Sequence, residues 1–127
     1  MSAAITEAEP HDRHYFLNCA FAPIKHLLND PDIVEISINK PGHVYVERIG
    51  SAAMEFHQID ELTSGEIQNM GERVAAATDQ FISSRHPLVS AALPTGERIQ
   101  VVLPPATPDG GAISIRKQVL VNYTLKE

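Results

Sequence analysis

The chain reads as an α+β domain with a mostly antiparallel sheet of about five to six strands and flanking helices. Two observations carry that reading. Short stretches of strict apolar and polar alternation recur in two blocks, near residues 34–46 and 88–117. Each block is preceded by a longer stretch whose apolar residues recur every three to four positions, the spacing of an amphipathic helix.

The first helix is expected from about Arg13 to Asn29, with Leu17, Phe21, Ile24 and Leu28 as its apolar stripe. Pro23 lacks an amide hydrogen and should kink or split it. Asp30-Pro31-Asp32 ends it. Val34, Ile36 and Ile38 then point one way, with Glu35, Ser37 and Asn39 pointing the other. Alternation stops at Lys40-Pro41-Gly42-His43 and resumes at Val44 and Val46. Pro followed by Gly at the centre of four residues suits a type II turn, so a hairpin is expected. Residues 54–59 supply a third strand.

The second helix is expected from Thr63 to Phe81. Thr63 and Glu66 have capping-box spacing, and Ile67, Met70, Val74 and Phe81 form its stripe. Gly65 and Gly71 weaken it. Alternation returns at Val89, Ala91 and Leu93, at Ile99, Val101 and Leu103, and at Ile113 and Ile115. Turn residues separate these runs, which gives a three-stranded antiparallel meander. Residues 1–12 read as a flexible tail and 13–118 as the domain.

Composition narrows the function. The chain has 127 residues, enough for one domain, and 43% of them are hydrophobic. Ten Lys and Arg stand against sixteen Asp and Glu, a net charge of −6. That balance gives no strong signal for nucleic acid, which requires a basic face. No apolar run approaches the ~20 residues of a membrane-spanning helix. The acidic N-terminus, with no basic residue in its first ten positions, is unlike a signal peptide. Cys19, the one cysteine, allows no internal disulfide and is expected to be a buried, inert thiol. Six histidines are scattered over different elements, so no metal site is expected. The chain holds no G-x-x-x-x-G-K-[ST] loop to cradle nucleotide phosphates, and no G-x-S-x-G, H-E-x-x-H or C-x-x-C.

One constellation points to chemistry. Pairing the strands around Ile99 and Ile113 so that both apolar sets share a face sets Val101 opposite Ile113 and Ile99 opposite Ile115. Arg98 then faces Arg116 on the other side of the sheet, and Gln100 faces Ser114; a slip of two residues would keep the arginines on that side as diagonal neighbours, whereas a slip of one would bury them. Like charges directly opposite are destabilising, so two adjacent guanidiniums suggest a shared anion. The more ordinary alternative on spacing alone is two solvated arginines pairing loosely with Glu97 or another carboxylate, worth about 0–1 kcal/mol.

Several segments resemble the N-terminal domain of type IV secretion and conjugation ATPases. They are Asp30-Pro31, Glu35-Ile36-Ser37-Ile38-Asn39-Lys40-Pro41-Gly42, Val44-Tyr45-Val46-Glu47, residues 87–94, residues 96–106 and Ile113-Ser114-Ile115-Arg116-Lys117. They occur in the family order over about residues 30–117. Gly96-Glu97-Arg98-Ile99-Gln100 points to the conjugation branch, with the related pilus-assembly and type II secretion ATPases as the rival reading. The resemblance implies one tier of a hexameric ring at the cytoplasmic face of the inner membrane. ATP and magnesium would be held mainly by a RecA-like C-terminal domain, with none bound tightly by this chain alone. The implied partners are further copies of the subunit, other secretion ATPases and inner-membrane components. Arg98 and Arg116 match family arginines that reach the terminal phosphate. Residues 119–127 read as the start of a linker to the RecA-like domain, which this chain lacks. The alternative is a stand-alone interaction module of a secretion or pilus complex that never meets nucleotide.

The missing phosphate loop generates the first prediction. The isolated chain should release no phosphate from ATP above background. Turnover by material free of contaminating ATPase would refute it.

Overall fold

The computed structural model describes residues 10–93, 96–104, 106–107 and 109–117. Most of the tail and all of the linker read from the sequence lie outside the described residues.

The chain opens with α1 (Pro10–Ala20), a 3₁₀ turn (Ala22–Ile24) and the short helix α2 (Lys25–Leu28). Pro23 sits in the first turn of the 3₁₀ segment, where its missing amide hydrogen costs little, so the expected split falls there. Leu17, Ala20, Phe21, Ile24 and Leu27 are buried along one stripe. Cys19 is exposed, contrary to the expectation of a buried thiol. It lies two residues from Leu17, about 200° round the helix, so it turns away from the buried stripe.

Three strands follow: β1 (Ile33–Lys40), β2 (His43–Arg48) and β3 (Glu55–Gln58). β1 and β2 form a hairpin with Ile38 opposite Val44 and Lys40 opposite His43. Its tight turn is closed by Gly42 at φ +82°, a value a side chain would strain. A register shift between Ile33 and Glu35 rotates the start of β1. Ile33, not Val34, is therefore the buried residue at that end.

The long helix α3 spans Ser64–Ala77. Thr63 caps it, its hydroxyl oxygen accepting the Glu66 amide hydrogen at 3.2 Å. Ile67, Met70, Gly71, Val74 and Ala75 are buried. The helix ends before Phe81. The Thr78 hydroxyl donates to the Val74 carbonyl, and Asp79 turns the chain at φ +56°. Phe81 has left the helical period and is 75% exposed, which corrects its assignment to the apolar stripe.

The second meander is β4 (Leu88–Ala92), β5 (Arg98–Val102) and β6 (Ala112–Arg116). One six-stranded sheet results, in the order β3-β2-β1-β6-β5-β4, with every neighbouring pair antiparallel. This is the α+β architecture expected. The two meanders meet where β1 pairs with β6, with Ile36 opposite Ile115 and Ile38 opposite Ile113. Those residues join Val44, Val46, Val89, Ile99 and Val101 in a single core with the helices. The described helices cover that face alone. The other face carries Phe56, Tyr45, Ser37, Ser114, Gln100 and Ser90 in one cross-strand row, all of them exposed or half-buried.

The loop into β6 is pressed against α3. Gly111 has φ +120°, and a Cβ there would stand 2.7 Å from Ile67 Cγ2. Gly111→Ala combines backbone strain with overpacking, so it should lower unfolding stability by more than about 2 kcal/mol. Urea unfolding measures this, and a loss below about 0.5 kcal/mol would contradict the packing described.

Candidate functional site

The uncovered sheet face carries its charges in a second cross-strand row. Ala92, Arg98, Arg116, Glu35 and Glu47 stand opposite one another in turn on β4, β5, β6, β1 and β2. Arg98 opposes Arg116 and Gln100 opposes Ser114, one of the registers that the apolar alternation allowed. Burying Ile99, Val101, Ile113 and Ile115 leaves their neighbours on the open side. The two sequence-predicted site residues are thus brought together on adjacent strands.

Around them lies an open depression of about 600 Å³, lined by Ser90, Ala92, Arg98, Gln100, Ser114 and Arg116 among others. Its breadth follows from side-chain size, because alanine and serine flank the two long arginines. Arg98 and Arg116 are both exposed. Arg116 donates from Nη2 to Glu35 Oε1 at 3.4 Å, a long contact for an ion pair. Its side chain remains 74% exposed against 24% for Glu35. Such a pair is worth at most about 1 kcal/mol, so it holds Arg116 only lightly.

This surface offers two guanidiniums, two serine hydroxyls and an amide. That set suits an anion with several oxygens, since a guanidinium can bond two of them at once. Ser90, Ser114 and Glu35 were not singled out as site residues from sequence. Ser114 was legible as the partner of Gln100. Glu35 was not, because its place beside Arg116 depends on pairing the first strand with the last.

A second charged cluster lies at the end of β2. Arg48 donates from Nη1 to Asp30 Oδ2 at 3.0 Å and from Nε to Glu55 Oε1 at 2.8 Å. Glu55 also meets His57 Nε2 at 2.6 Å. Asp30 Oδ1 accepts the Asp32 amide hydrogen at 3.0 Å, and the Asp30 carbonyl accepts from Lys117 Nζ. These contacts fasten the loop before β1 to β2, β3 and the end of β6. The Asp32 amide and then Arg48 hold the Asp30 carboxyl below its ordinary range. Arg48 and then His57 do the same for Glu55. Among the described residues, no three His, Cys, Asp or Glu side chains converge as a metal site would require. No helix there is long and apolar enough to cross a membrane.

Fold and surface together define an α+β domain that buries one sheet face under its helices and presents a paired arginine site on the other. No protein-family model matches the chain. It is 38% identical over 112 residues to the type IV secretion system protein VirB11 of Brucella suis, a match covering 87% of this chain and 30% of that protein. VirB11 of Bartonella quintana is 37% identical over 106 residues, covering 83% of this chain and 29% of the relative. Protein VirB11 of Agrobacterium fabrum is 32% identical over 112 residues, covering 87% and 32%. The crystal structure of the VirB11 ATPase from the Brucella suis type IV secretion system, in complex with sulphate, matches at a TM-score of 0.82 and 35% identity. That match covers 92% of this chain and 36% of the solved one, in its N-terminal region. The chain is a homologue of the VirB11 type IV secretion ATPases, and it spans about 30% of the length of the curated relatives it matches.

The two lowered carboxyls generate a prediction. A group with a depressed pKa stabilises the fold above its unfolded value, and that contribution is lost as pH falls through the folded one. The chain should therefore lose stability on acidification through and below the ordinary carboxylate range. Arg48→Ala should lower stability at neutral pH and flatten this acid dependence. Thermal unfolding across pH tests both, and an unchanged acid slope in Arg48→Ala would refute the assignment.

Proposed function

We propose that this chain is the ring-forming N-terminal domain of a hexameric type IV secretion ATPase, and that Arg98 and Arg116 contact the terminal phosphate of ATP. The carrying observation is their cross-strand pairing on the uncovered face, in a depression wide enough for a phosphate group. Homology to the VirB11 ATPases supports nucleotide as the source of that phosphate.

On this reading the bulk of the nucleotide and its magnesium are held by a RecA-like domain of the longer protein. The two arginines approach from this domain. They share the charge that builds on the phosphoryl oxygens as the bond to the leaving group breaks. Hydrolysis removes that charge from the site, weakens the bridge between the domains and lets them move. Such motion would power secretion or conjugative transfer. The subunit would work at the cytoplasmic face of the inner membrane, with copies of itself, other secretion ATPases and inner-membrane components as partners.

The test is made in the longer protein carrying both domains. Arg98→Ala and Arg116→Ala should each lower kcat by roughly a hundred- to a thousand-fold, the usual cost of losing one transition-state donor. Unfolding stability should change by at most about 1 kcal/mol, as for an exposed ion pair. Near-normal turnover in both variants would overturn the phosphate role and favour an interaction module that does not meet nucleotide.

A further inference from the structure

The charged row does not end at the two arginines. Glu47, Glu35, Arg116 and Arg98 stand opposite one another on β2, β1, β6 and β5. Two like-charged pairs therefore flank one unlike pair, and the central contact is Arg116 Nη2 to Glu35 Oε1 at 3.4 Å. Arg116 also lines two depressions. One is the 600 Å³ site shared with Arg98. The other, of about 360 Å³, is shared with Glu35 and Glu47. Its side chain, 74% exposed, is free to serve either side.

We propose that Glu35 is a positioning residue for Arg116, competing with a bound phosphate for the same guanidinium. This rests on the reading of Arg98 and Arg116 as a phosphate-binding pair. The physical basis is the cost of like charges set opposite each other. With Arg116 on Glu35, one contact relieves two repulsions, Arg116 against Arg98 and Glu35 against Glu47. An entering phosphate relieves the first repulsion itself and draws Arg116 away, which leaves Glu35 facing Glu47. That residual repulsion favours the return of Arg116 when phosphate leaves. Glu35 thus lowers affinity for the anion and resets the site after its departure.

The test titrates the 127-residue chain with inorganic tripolyphosphate and follows the arginine Nε–H resonances by NMR. The amide spectrum reports folding of each variant. Glu35→Gln should shift the Arg116 resonance before any anion is added. It should also tighten tripolyphosphate binding by about two- to five-fold, the range set by one exposed ion pair. Glu35→Thr, which suits a strand, should tighten binding in the same way and serves if the Gln variant folds poorly. Glu47→Gln removes the same charge one strand further off and should tighten binding less. Unchanged or weaker binding in both Glu35 variants would overturn the proposal, as would equal tightening by Glu47→Gln. Arg98→Ala and Arg116→Ala separate the two levels. If they lose binding while the Glu35 variants match wild type, only the role of Glu35 falls. If binding survives in both arginine variants, the phosphate site falls and the role of Glu35 falls with it.

Discussion

The pairing of β1 with β6 is the contact on which the rest of the structure depends. It joins the first strand to the last described strand, across about 80 residues of chain, at the centre of the sheet. Closing so long a loop costs entropy, and the cost grows slowly with length. Burial offsets it. Ile36, Ile38, Ile113 and Ile115 meet there, and each is at most 1% exposed. Each such side chain contributes roughly 1.5–3 kcal/mol when fully buried. Without this seam there would be two separate meanders, each with a free edge, and neither would have a complete core.

The same seam builds the charged row. A slip of one residue in β6 would turn Ile113 and Ile115 outward and drive Arg116 into the core. The apolar requirement therefore sets the position of the arginine, although the arginine contributes little to the stability of the seam. The arginine pair is placed on the open face by the energetics of the closed one.

The protein uses its arginines in two contrasting ways. Arg48 has a side chain 33% exposed and bonds two carboxylates at 2.8–3.0 Å, so it is fully engaged in fastening loops to strands. Arg116 is 74% exposed and holds one carboxylate at 3.4 Å. The first arrangement spends the fork of the guanidinium on structure. The second leaves most of it open to solvent. Two more features keep the open face accessible. Its central residues are small or polar, and all the described helices pack on the other side.

Much of this was legible in residue order alone. Period-two alternation located five of the six described strands, the third being read at residues 54–59 without it, Pro41-Gly42 marked the first hairpin, and Thr63 marked the start of α3. That Arg98 and Arg116 share a face followed because β5 and β6 are neighbours in sequence and each has one unambiguous apolar face, and the structure takes the directly opposed register over a slip of two. Non-local and packing effects were decided elsewhere. The register shift in β1 exchanged Val34 for Ile33 as the buried residue, and a turn at Asp79 released Phe81 into solvent. Gly71 read as a weak point in a helix. In three dimensions it gives α3 room near β5, where an added Cβ would stand 3.0 Å from Val101 Cγ1. Alternation and turn chemistry are local, so the sequence by itself determined which residues form strands and which side of each strand is apolar. Only the tertiary structure decided that β1 lies beside β6, and with it that Glu35 meets Arg116, because strand order depends on how two separate apolar faces complete one core.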